Sequence, residues 1–474
     1  MAQEKMDYEK LQKSLFGEKK NGWLIEKADI LHSYADKYKD FLSLAKTERE
    51  TVSEGIRIAK ENGFVSYEEF IAKKSNNLAG KKIYFESREK NVCFAVLSDD
   101  ISKGLNIVGS HVDAPRVDFK PNPLIEDHET ALAKTHYYGG IKKYQWLSIP
   151  LAIHGVVVKS NGEKVAINVG EKDDDPVFVF PDLLPHLDKR VMADKKMSQA
   201  VEAERMNLFL GSIPIADDPK LKEAVKLNIM KILNDTYGIT AKDFISAEIE
   251  VVPAFKPKDV GFDRSLVAAY GQDDRICGYT SLTALIDAKN VSKTALSVFF
   301  DKEEIGSDGN TGAQSTFILD CIHKIIKLYG KDTGDMFEIL SKTNFLSSDV
   351  SASVNPNYPE VHDKFNASKL GYGVTIAKYT GSGGKYSAND AHPEFIAKLR
   401  KIFDENKVLW QMSELGKVDE GGGGTIAKFM AKWNMNVIDC GPGLLSMHSP
   451  YELVSKVDLY HTYKAYKVFY ENMD

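Results

Sequence analysis

The sequence predicts an α/β protein in which one sheet lies between helices and a second, β-rich domain is inserted into the chain. Strand-like apolar runs alternate with helical segments in both outer parts of the sequence. Between them the pattern changes to short strand-like runs separated by turn signals. A chain of 474 residues is also too long for one compact core. We therefore expect a discontinuous first domain, formed by 1–115 and 251–474, around an insertion at 116–250.

The elements before the insertion are mainly helices followed by two buried strands. The run WLIEKADILHSYADKYKDFLSLA has apolar residues at helical spacing. Ser66, followed by acidic residues in SYEEFIAKK, predicts the N-cap of a further helix. Residues 91–98 and 105–109 predict strands, and the second strand leads directly into His111 and Asp113. These two residues should therefore lie at the carboxyl edge of a sheet.

The insertion and the last segment are also predicted from local pattern. The runs LAIHGVVV and KVAINV, separated by the turn at 160–162, predict strands. A helix at 218–237 and the strand SAEIEVVPA should close the insertion. After it, the strands TALSVFFD, NFLSSDVS and MNVIDCGPG alternate with the helices DDRICGYTSLTALIDA, CIHKIIKLY and VDLYHTYKAYKVFYENM.

Composition excludes several classes of protein. The net charge is −6, from 62 basic and 68 acidic residues, so the basic surface of a nucleic-acid-binding protein is not expected. No apolar run approaches the ~20 residues of a membrane span, and the N-terminus lacks the apolar core of a signal peptide. We expect a cytoplasmic protein without nucleic-acid or membrane partners. The cysteines are scattered without a C-x-x-C pair and should be buried free thiols.

Five candidate metal ligands fall in five separate loops, each of which follows an apolar strand or opens a helix. Residues at the carboxyl ends of several strands converge in space although they are distant in sequence. Imidazole nitrogens and carboxylate oxygens are ligands that zinc accepts. Each motif alone has an ordinary structural interpretation, but together they favour a metal centre. The candidates are His111, Asp273, Glu304, Asp349 and His448.

Three of these motifs suggest distinct roles for neighbouring residues. Asp113 lies on the same side of an extended segment as His111, where it can accept the other ring N–H. In GQDDRICG, a carboxylate can bridge two cations while Asp274 caps the helix, although simple helix capping by both residues is an alternative. In DKEEIGS, adjacent carboxylates point opposite ways. One can bind metal while Glu303 faces a water as general base, and an exposed acidic loop is the alternative.

In this order, the motifs SHVDAPR, QDDRICGY, FFDKEEIGS, SSDVSASVNPNYPEVHD and LLSMHSPYE resemble the aspartyl aminopeptidase family of two-metal peptidases, over essentially the whole chain. The resemblance implies a zinc-peptidase-like catalytic domain with an inserted dimerisation domain. It also implies homodimers that assemble into a tetrahedral dodecamer. The implied reaction releases single N-terminal residues, often Asp or Glu, from peptides with a free N-terminus. Two divalent ions are expected, zinc first, with cobalt and manganese as alternatives.

The resemblance also implies roles for particular residues. Asp273 bridges the two ions, Glu303 is the general base and Asp113 orients a histidine ligand. His186, in FPDLLPHLDKR, should reach the active site of a neighbouring subunit. For the substrate, Lys378 is expected to engage an acidic side chain. Lys385 is an alternative to Lys378, and the other expected substrate contacts are His362 and Tyr386.

Two departures from the family pattern make the acidic preference less secure than the peptidase assignment. Residues 355–358 are N-P-N-Y where the family has H-P-N-Y, and AKYTGSGGKYSAN matches the later K-x-N…RYA segment only loosely. The glycines at 421–424 lack the G-K-[ST] of a phosphate-binding loop and are expected to form a turn into a helix. The resemblance implies that this segment lies near the active site and shapes the substrate pocket. A two-metal carboxypeptidase or deacylase, and a metal-stabilised shell protein, are the rival functions. The adjacent glutamates argue against the shell protein, since a scaffold needs no base.

Overall fold

The computed structural model describes residues 7–17, 20–73, 77–218 and 220–474. The strands in chain order are β1 (Val65–Ser66), β2 (Lys82–Ser87), β3 (Asn91–Val96), β4 (Leu105–His111), β5 (Arg116–Asp127), β6 (Thr130–Tyr138), β7 (Leu151–Val158), β8 (Lys164–Val169), β9 (Asn207–Gly211), β10 (Ala247–Pro253), β11 (Lys258–Val260), β12 (Leu266–Ala269), β13 (Thr294–Phe300), β14 (Asn344–Ser347), β15 (Ser351–Ala352), β16 (Val374–Ala377), β17 (Trp410–Met412), β18 (Asn436–Gly441), β19 (Gly443–Leu445) and β20 (Glu452–Ser455). The α-helices are α1 (Tyr8–Phe16), α2 (Ala28–Leu44), α3 (Glu48–Glu61), α4 (Tyr67–Ala72), α5 (Met197–Ala200), α6 (Ala224–Tyr237), α7 (Gln272–Asp287), α8 (Phe317–Leu328), α9 (Met336–Ser341), α10 (Pro393–Glu405), α11 (Ala427–Ala431) and α12 (Lys456–Asn472).

The largest sheet has nine strands in the order β1-β2-β3-β13-β4-β14-β18-β16-β17. Its central strands β13, β4, β14 and β18 are parallel. Because successive strand residues point to opposite faces, Phe94 packs in one core with Leu282 and Phe469, whereas Ala95 packs in a second core with Ile322. Helices α7 and α12 cover one face and α8 covers the other. The predicted α/β fold, with a sheet between helices, is confirmed.

A second, antiparallel sheet has the order β8-β7-β10-β5-β6-β9, and all its strands lie between Arg116 and Pro253. Trp146, Phe180 and Leu208 are fully or almost fully buried in its core. The helix of this segment begins at Ala224, so the predicted start at residue 218 is too early. The domain boundaries themselves remain a prediction.

A third sheet, in the order β11-β12-β20-β19-β15, lies next to the start of α7. In it β12 pairs with β20, so Ala269 lies opposite Glu452. This pairing brings the segment before α7 close to the segment between β19 and β20. Two candidate ligands that are far apart in sequence are thereby brought together.

The helix caps show where local sequence predicts structure and where it does not. Ser66 is the N-cap of α4 as predicted, and its Oγ accepts a hydrogen bond from the Glu69 N–H at 3.2 Å. Asp274 was expected to cap α7, but among the described residues neither of its carboxylate oxygens accepts a hydrogen bond, so its side chain does not cap the helix. The backbone angles of Asp273 and Asp274 are not helical, so a kink separates this pair from the rest of α7, and Asp274 is fully buried there.

Polar contacts join the second sheet to the first domain. The ring of His154, on β7, places Nδ1 2.7 Å from Glu50 Oε1 and Nε2 3.0 Å from Glu171 Oε1. Burial alone would lower the pKa of His154, but the two carboxylates outweigh it and the pKa is raised. The two carboxylates therefore stabilise the charged form of this histidine.

The cysteines Cys93, Cys277, Cys321 and Cys440 are buried free thiols, as predicted. Among the described residues, no helix combines the length and the apolar character that crossing a membrane requires.

Candidate metal centre

Three of the candidate ligands follow parallel neighbours of the large sheet. His111 is the last residue of β4, Glu304 lies just beyond the end of β13, and Asp349 lies just beyond β14. Since these strands run in the same direction, their carboxyl ends meet at one edge of the sheet. The third sheet brings the other two, Asp273 at the start of α7 and His448 before β20.

Asp273 lies between the two histidines. Its Oδ1 is 3.2 Å from His111 Nε2, and its Oδ2 is 3.2 Å from His448 Nε2. Around them, Glu304 Oε1 is 3.5 Å from His448 Nε2, and Asp349 Oδ1 is 3.8 Å from His111 Nε2. A cation on either side of Asp273 would therefore have one histidine nitrogen and several carboxylate oxygens within reach.

Asp274 also belongs to this cluster. Possible ligand atoms of His111, Asp273 and Glu304 all lie within 4.8 Å of one another, and so do those of His111, Asp274 and Asp349. Burial raises the pKa of Asp274 well above its usual range, and the nearby Asp349 carboxylate raises it further. A second aspartate thus faces the centre where a helix cap was expected.

The electrostatics of the cluster favour a bound cation. Burial raises the pKa of Glu303 to about 8 and that of Glu304 well above its usual range, with the Asp273 charge contributing to both. Burial likewise raises the pKa of Asp349. Within the part of the chain that the structure describes, Asp273 Oδ1 and Glu304 Oε1 are buried oxygens without a hydrogen-bond donor. Divalent cations would compensate these charges, so the donor set fits zinc or a similar metal.

Two buried carboxylates hold the backbone around the ligands. Asp113 Oδ1 accepts the Glu303 N–H at 3.1 Å and Oδ2 accepts the Glu304 N–H at 3.2 Å. His111 Nδ1 lies 3.0 Å from the Asp113 backbone carbonyl oxygen and 3.3 Å from Asp113 Oδ1, which leaves Nε2 facing the centre. Glu452 holds the backbone of the other two ligands, Asp273 and His448, in the same way.

Glu452 accepts hydrogen bonds from the N–H groups of Asp273 at 3.1 Å and of His448 at 2.8 Å. Glu452 was not predicted as a functional residue from the sequence. Its contacts are to backbone N–H groups, and these leave no pattern of side-chain types to detect. The only signal was its place at the end of the LLSMHSPYE motif.

A cavity of about 420 Å³ opens onto the cluster, a volume that suits a small ligand. Glu303 lines it together with the candidate ligands. Gly422 lines it too, at a φ of +131°, where a Cβ would come within 2.1 Å of the Gly381 carbonyl oxygen. The further lining residues, which suit a substrate side chain, are Thr375, Ala377, Tyr379, Thr380, Leu415, Lys428 and Phe429.

The residues expected to bind substrate lie elsewhere in the single chain. Lys378 Nζ lies 3.8 Å from Asp390 Oδ1, and Lys385 Nζ lies 3.3 Å from Asp390 Oδ2. His362 is buried, with Nε2 accepting a backbone N–H, and Tyr386 is 76% exposed. Among the described residues, the lining of the cavity includes none of these four. Their roles remain predictions.

Two further residues bear on the substrate side of the site. Lys428 lines the cavity but was missed in the sequence, where only the glycine run that precedes it was weighed. His186 lies in an exposed turn of the inserted segment, and its expected role concerns a neighbouring subunit rather than its own.

A carboxylate between two histidines, beside a pair of glutamates and a cavity, is the arrangement of a metal-dependent hydrolase. The family model described as Aminopeptidase I zinc metalloprotease (M18) matches residues 41–470. The chain belongs to this M18 family of zinc metallo-aminopeptidases, which includes the aspartyl aminopeptidases, so the resemblance found in the sequence is confirmed at that level.

Curated and solved relatives agree with this assignment. The chain is 54% identical over 458 residues to a probable M18 family aminopeptidase 1 of Thermotoga maritima, with 96% of this chain and 99% of that protein covered. The crystal structure of an M18 aminopeptidase from the same organism has a TM-score of 0.93 at 53% identity, covering 96% of this chain and all of that one. The crystal structure of aminopeptidase I from Clostridium acetobutylicum has a TM-score of 0.89 at 47% identity, with 96% of this chain and 99% of that one covered. A yeast aminopeptidase described as a dodecamer shares the fold at 21% identity and a TM-score of 0.73, with 92% of this chain and 96% of that one covered.

Proposed function

We propose that the enzyme is a dinuclear aminopeptidase that releases single N-terminal residues and prefers Asp and Glu. The observation that carries the two-metal proposal is the position of Asp273, whose two oxygens each lie 3.2 Å from a different histidine. One ion would be held by His111 and Asp349 and the other by Glu304 and His448, with Asp273 shared. Zinc is the first expectation, and cobalt and manganese also suit this set.

The ions, when bound, would polarise the scissile carbonyl and lower the pKa of the attacking water. Glu303 lines the same cavity, and its backbone is fixed on Asp113. We assign it the role of general base, which takes a proton from the water and returns it to the leaving amine. The free α-amino group of a substrate would bind one of the ions or a nearby carboxylate, which would restrict hydrolysis to the N-terminus and favours an aminopeptidase over a carboxypeptidase or deacylase.

The preference for acidic residues rests on lysines near the cavity. A lysine ammonium is a suitable partner for a substrate carboxylate. Lys428 lines the cavity, whereas Lys378 is flanked by the lining residues Ala377 and Tyr379 and is itself within ion-pair distance of Asp390. Lys378 was the residue expected from the sequence, and Lys428 is the candidate that the position of the cavity supports.

Assembly into dimers and a dodecamer is part of the same proposal. The inserted segment exposes large apolar side chains in the single chain, including Leu187, Met197 and Ile213. Contiguous exposed apolar patches are typical of protein interfaces, and we infer that these side chains contribute to one. The yeast dodecamer shares the fold.

Light scattering on the purified protein measures the mass of the assembly directly. A monomer at micromolar concentration would contradict the proposal.

A panel of aminoacyl chromogenic substrates tests the activity. Asp and Glu substrates should be hydrolysed faster than Leu and Met, and N-acetylated versions of the same compounds should not be hydrolysed. Dialysis against a chelator should abolish hydrolysis, and zinc, cobalt or manganese should restore it. Removal of the C-terminal residue from peptides with a blocked N-terminus would favour the carboxypeptidase. A metal-dependent assembly that hydrolyses none of the substrates would favour the shell protein.

A further inference from the structure

The end of β6 belongs to the inserted sheet but contacts the metal centre at three places. Tyr138 Oη donates a hydrogen bond to Asp113 Oδ2 at 2.8 Å. A Cβ on Gly139, which has a φ of +71°, would lie only 3.2 Å from Glu304 Cβ. The Gly140 carbonyl oxygen is 3.0 Å from His448 Nδ1. We call these three residues the strap.

The contact with Asp113 is the most informative of the three. Asp113 already accepts the N–H groups of Glu303 and Glu304 and lies beside His111 Nδ1. The Tyr138 hydroxyl is therefore a further donor to one carboxylate, on the oxygen that also receives the Glu304 N–H. Fixing that carboxylate holds the backbone of both glutamates and, because the Asp113 carbonyl oxygen lies 3.0 Å from His111 Nδ1, also holds Asp113 in place beside the histidine ring.

Tyr138 is itself held by the inserted sheet. The Arg116 guanidinium lies 4.0 Å from the centre of the Tyr138 ring, a cation–π contact. Arg116 is in turn 2.8 Å from Asp118 and 3.1 Å from Glu250, on strands β5 and β10. The hydroxyl is thus positioned by a rigid part of the fold rather than by a loose loop.

The contact of Gly140 has the same consequence for the second histidine. A carbonyl oxygen can only accept, so His448 Nδ1 must carry the proton in this hydrogen bond. Nε2 is then free to face Asp273. Both histidines of the centre therefore have their outward nitrogen next to a group that the inserted sheet supplies or holds.

We propose that Tyr138 is a positioning residue of the metal centre, because its hydroxyl holds Asp113 and thereby orients His111 and the Glu303–Glu304 backbone. This inference rests on the proposed two-metal function. It assigns the inserted sheet a part in the metal centre itself, in addition to its proposed part in assembly.

The test is a zinc titration of the metal-free, full-length protein against a competing chelator dye. Tyr138→Phe should bind zinc about tenfold more weakly, the lower end of the effect of losing such an outer partner. Tyr137→Phe is the matched control, since the same change is made on the next residue of the strand, which is 43% exposed. It should bind zinc as the wild type does. Affinity of Tyr138→Phe within twofold of the wild type would overturn the proposal.

A double-mutant cycle shows whether Tyr138 acts through Asp113. Asp113→Ala combined with Tyr138→Phe should lose no more zinc affinity than Asp113→Ala alone, because the hydroxyl has then lost its partner. Losses that simply add would contradict the inference. Gly139→Ala is a second probe, which keeps the hydroxyl but pushes the strap against Glu304. It should also weaken zinc binding, and wild-type affinity would count against the strap.

These outcomes are separate from those of the proposed function. If the wild-type protein binds fewer than two ions per subunit or does not hydrolyse peptides with free N-termini, the two-metal aminopeptidase proposal fails. The relative zinc affinities of Tyr138→Phe and Tyr137→Phe are measured without substrate. They therefore test the strap independently of turnover.

Discussion

Glu303→Gln replaces one carboxylate oxygen of the proposed general base by an amide nitrogen and keeps the shape of the side chain. The backbone N–H of residue 303 still donates to Asp113, so the local fold should persist. An amide does not accept the proton of the attacking water. General-base catalysis contributes about 10²- to 10⁴-fold to rate, so the barrier should rise by about 2.7 to 5.4 kcal/mol.

The assay is kcat/KM on an aminoacyl p-nitroanilide with metal in excess, together with the metal content of the purified variant. We expect the loss to appear in kcat and the metal content to equal that of the wild type. Glu304→Gln is the matched control because it makes the same change on the adjacent residue. It should lose metal affinity, since Glu304 lies 3.5 Å from His448 in the ligand cluster. A rate of Glu303→Gln within threefold of wild type would refute the base assignment.

Three other substitutions test features away from the base. Lys428→Met should lower kcat/KM for Asp substrates by about tenfold with little change for Leu, since it removes a cation from the cavity, and equal losses for both would contradict its role. His186→Ala should lower turnover by more than about tenfold, about 1.4 kcal/mol, while light scattering shows an unchanged assembly; near-wild-type kinetics would contradict the shared site. The pKa of His154 is raised in the folded protein relative to the unfolded chain. Its contribution to stability is therefore fully present at pH values below the pKa of the unfolded chain, and it is lost as the pH rises through the pKa of the folded protein. His154→Gln should therefore cost more unfolding free energy at about pH 5.5 than at about pH 9, as measured by urea unfolding, and an equal cost at both would contradict the linkage.

The parts of the fold with a local signal could be predicted from the sequence. The capping of α4 by Ser66 depends on a hydrogen bond within one turn, and β3 and β4 are continuous apolar runs. The clustering of the candidate ligands followed from their positions at the ends of such runs. The start of α6 was placed too early, because the polar residues before Ala224 are compatible with a helix but do not form one.

The missed residues have in common that their contacts are distant in sequence. Glu452 holds the backbone of Asp273 across a sheet pairing, and Tyr138 reaches Asp113 from another sheet. No periodicity or spacing in one sequence records such a contact. Asp274 was misjudged for a related reason, since its burial depends on where α7 begins relative to the sheet.

The strap has a consequence for protein engineering. A shortened chain that lacks 116–253 would retain all five candidate ligands and Glu303, and by its sequence it would look like a self-sufficient minimal enzyme. It would nevertheless lose the hydroxyl that holds Asp113 and the carbonyl that meets His448. The inserted sheet is therefore not a detachable module, and deleting it should weaken metal binding even though every candidate ligand remains in the chain.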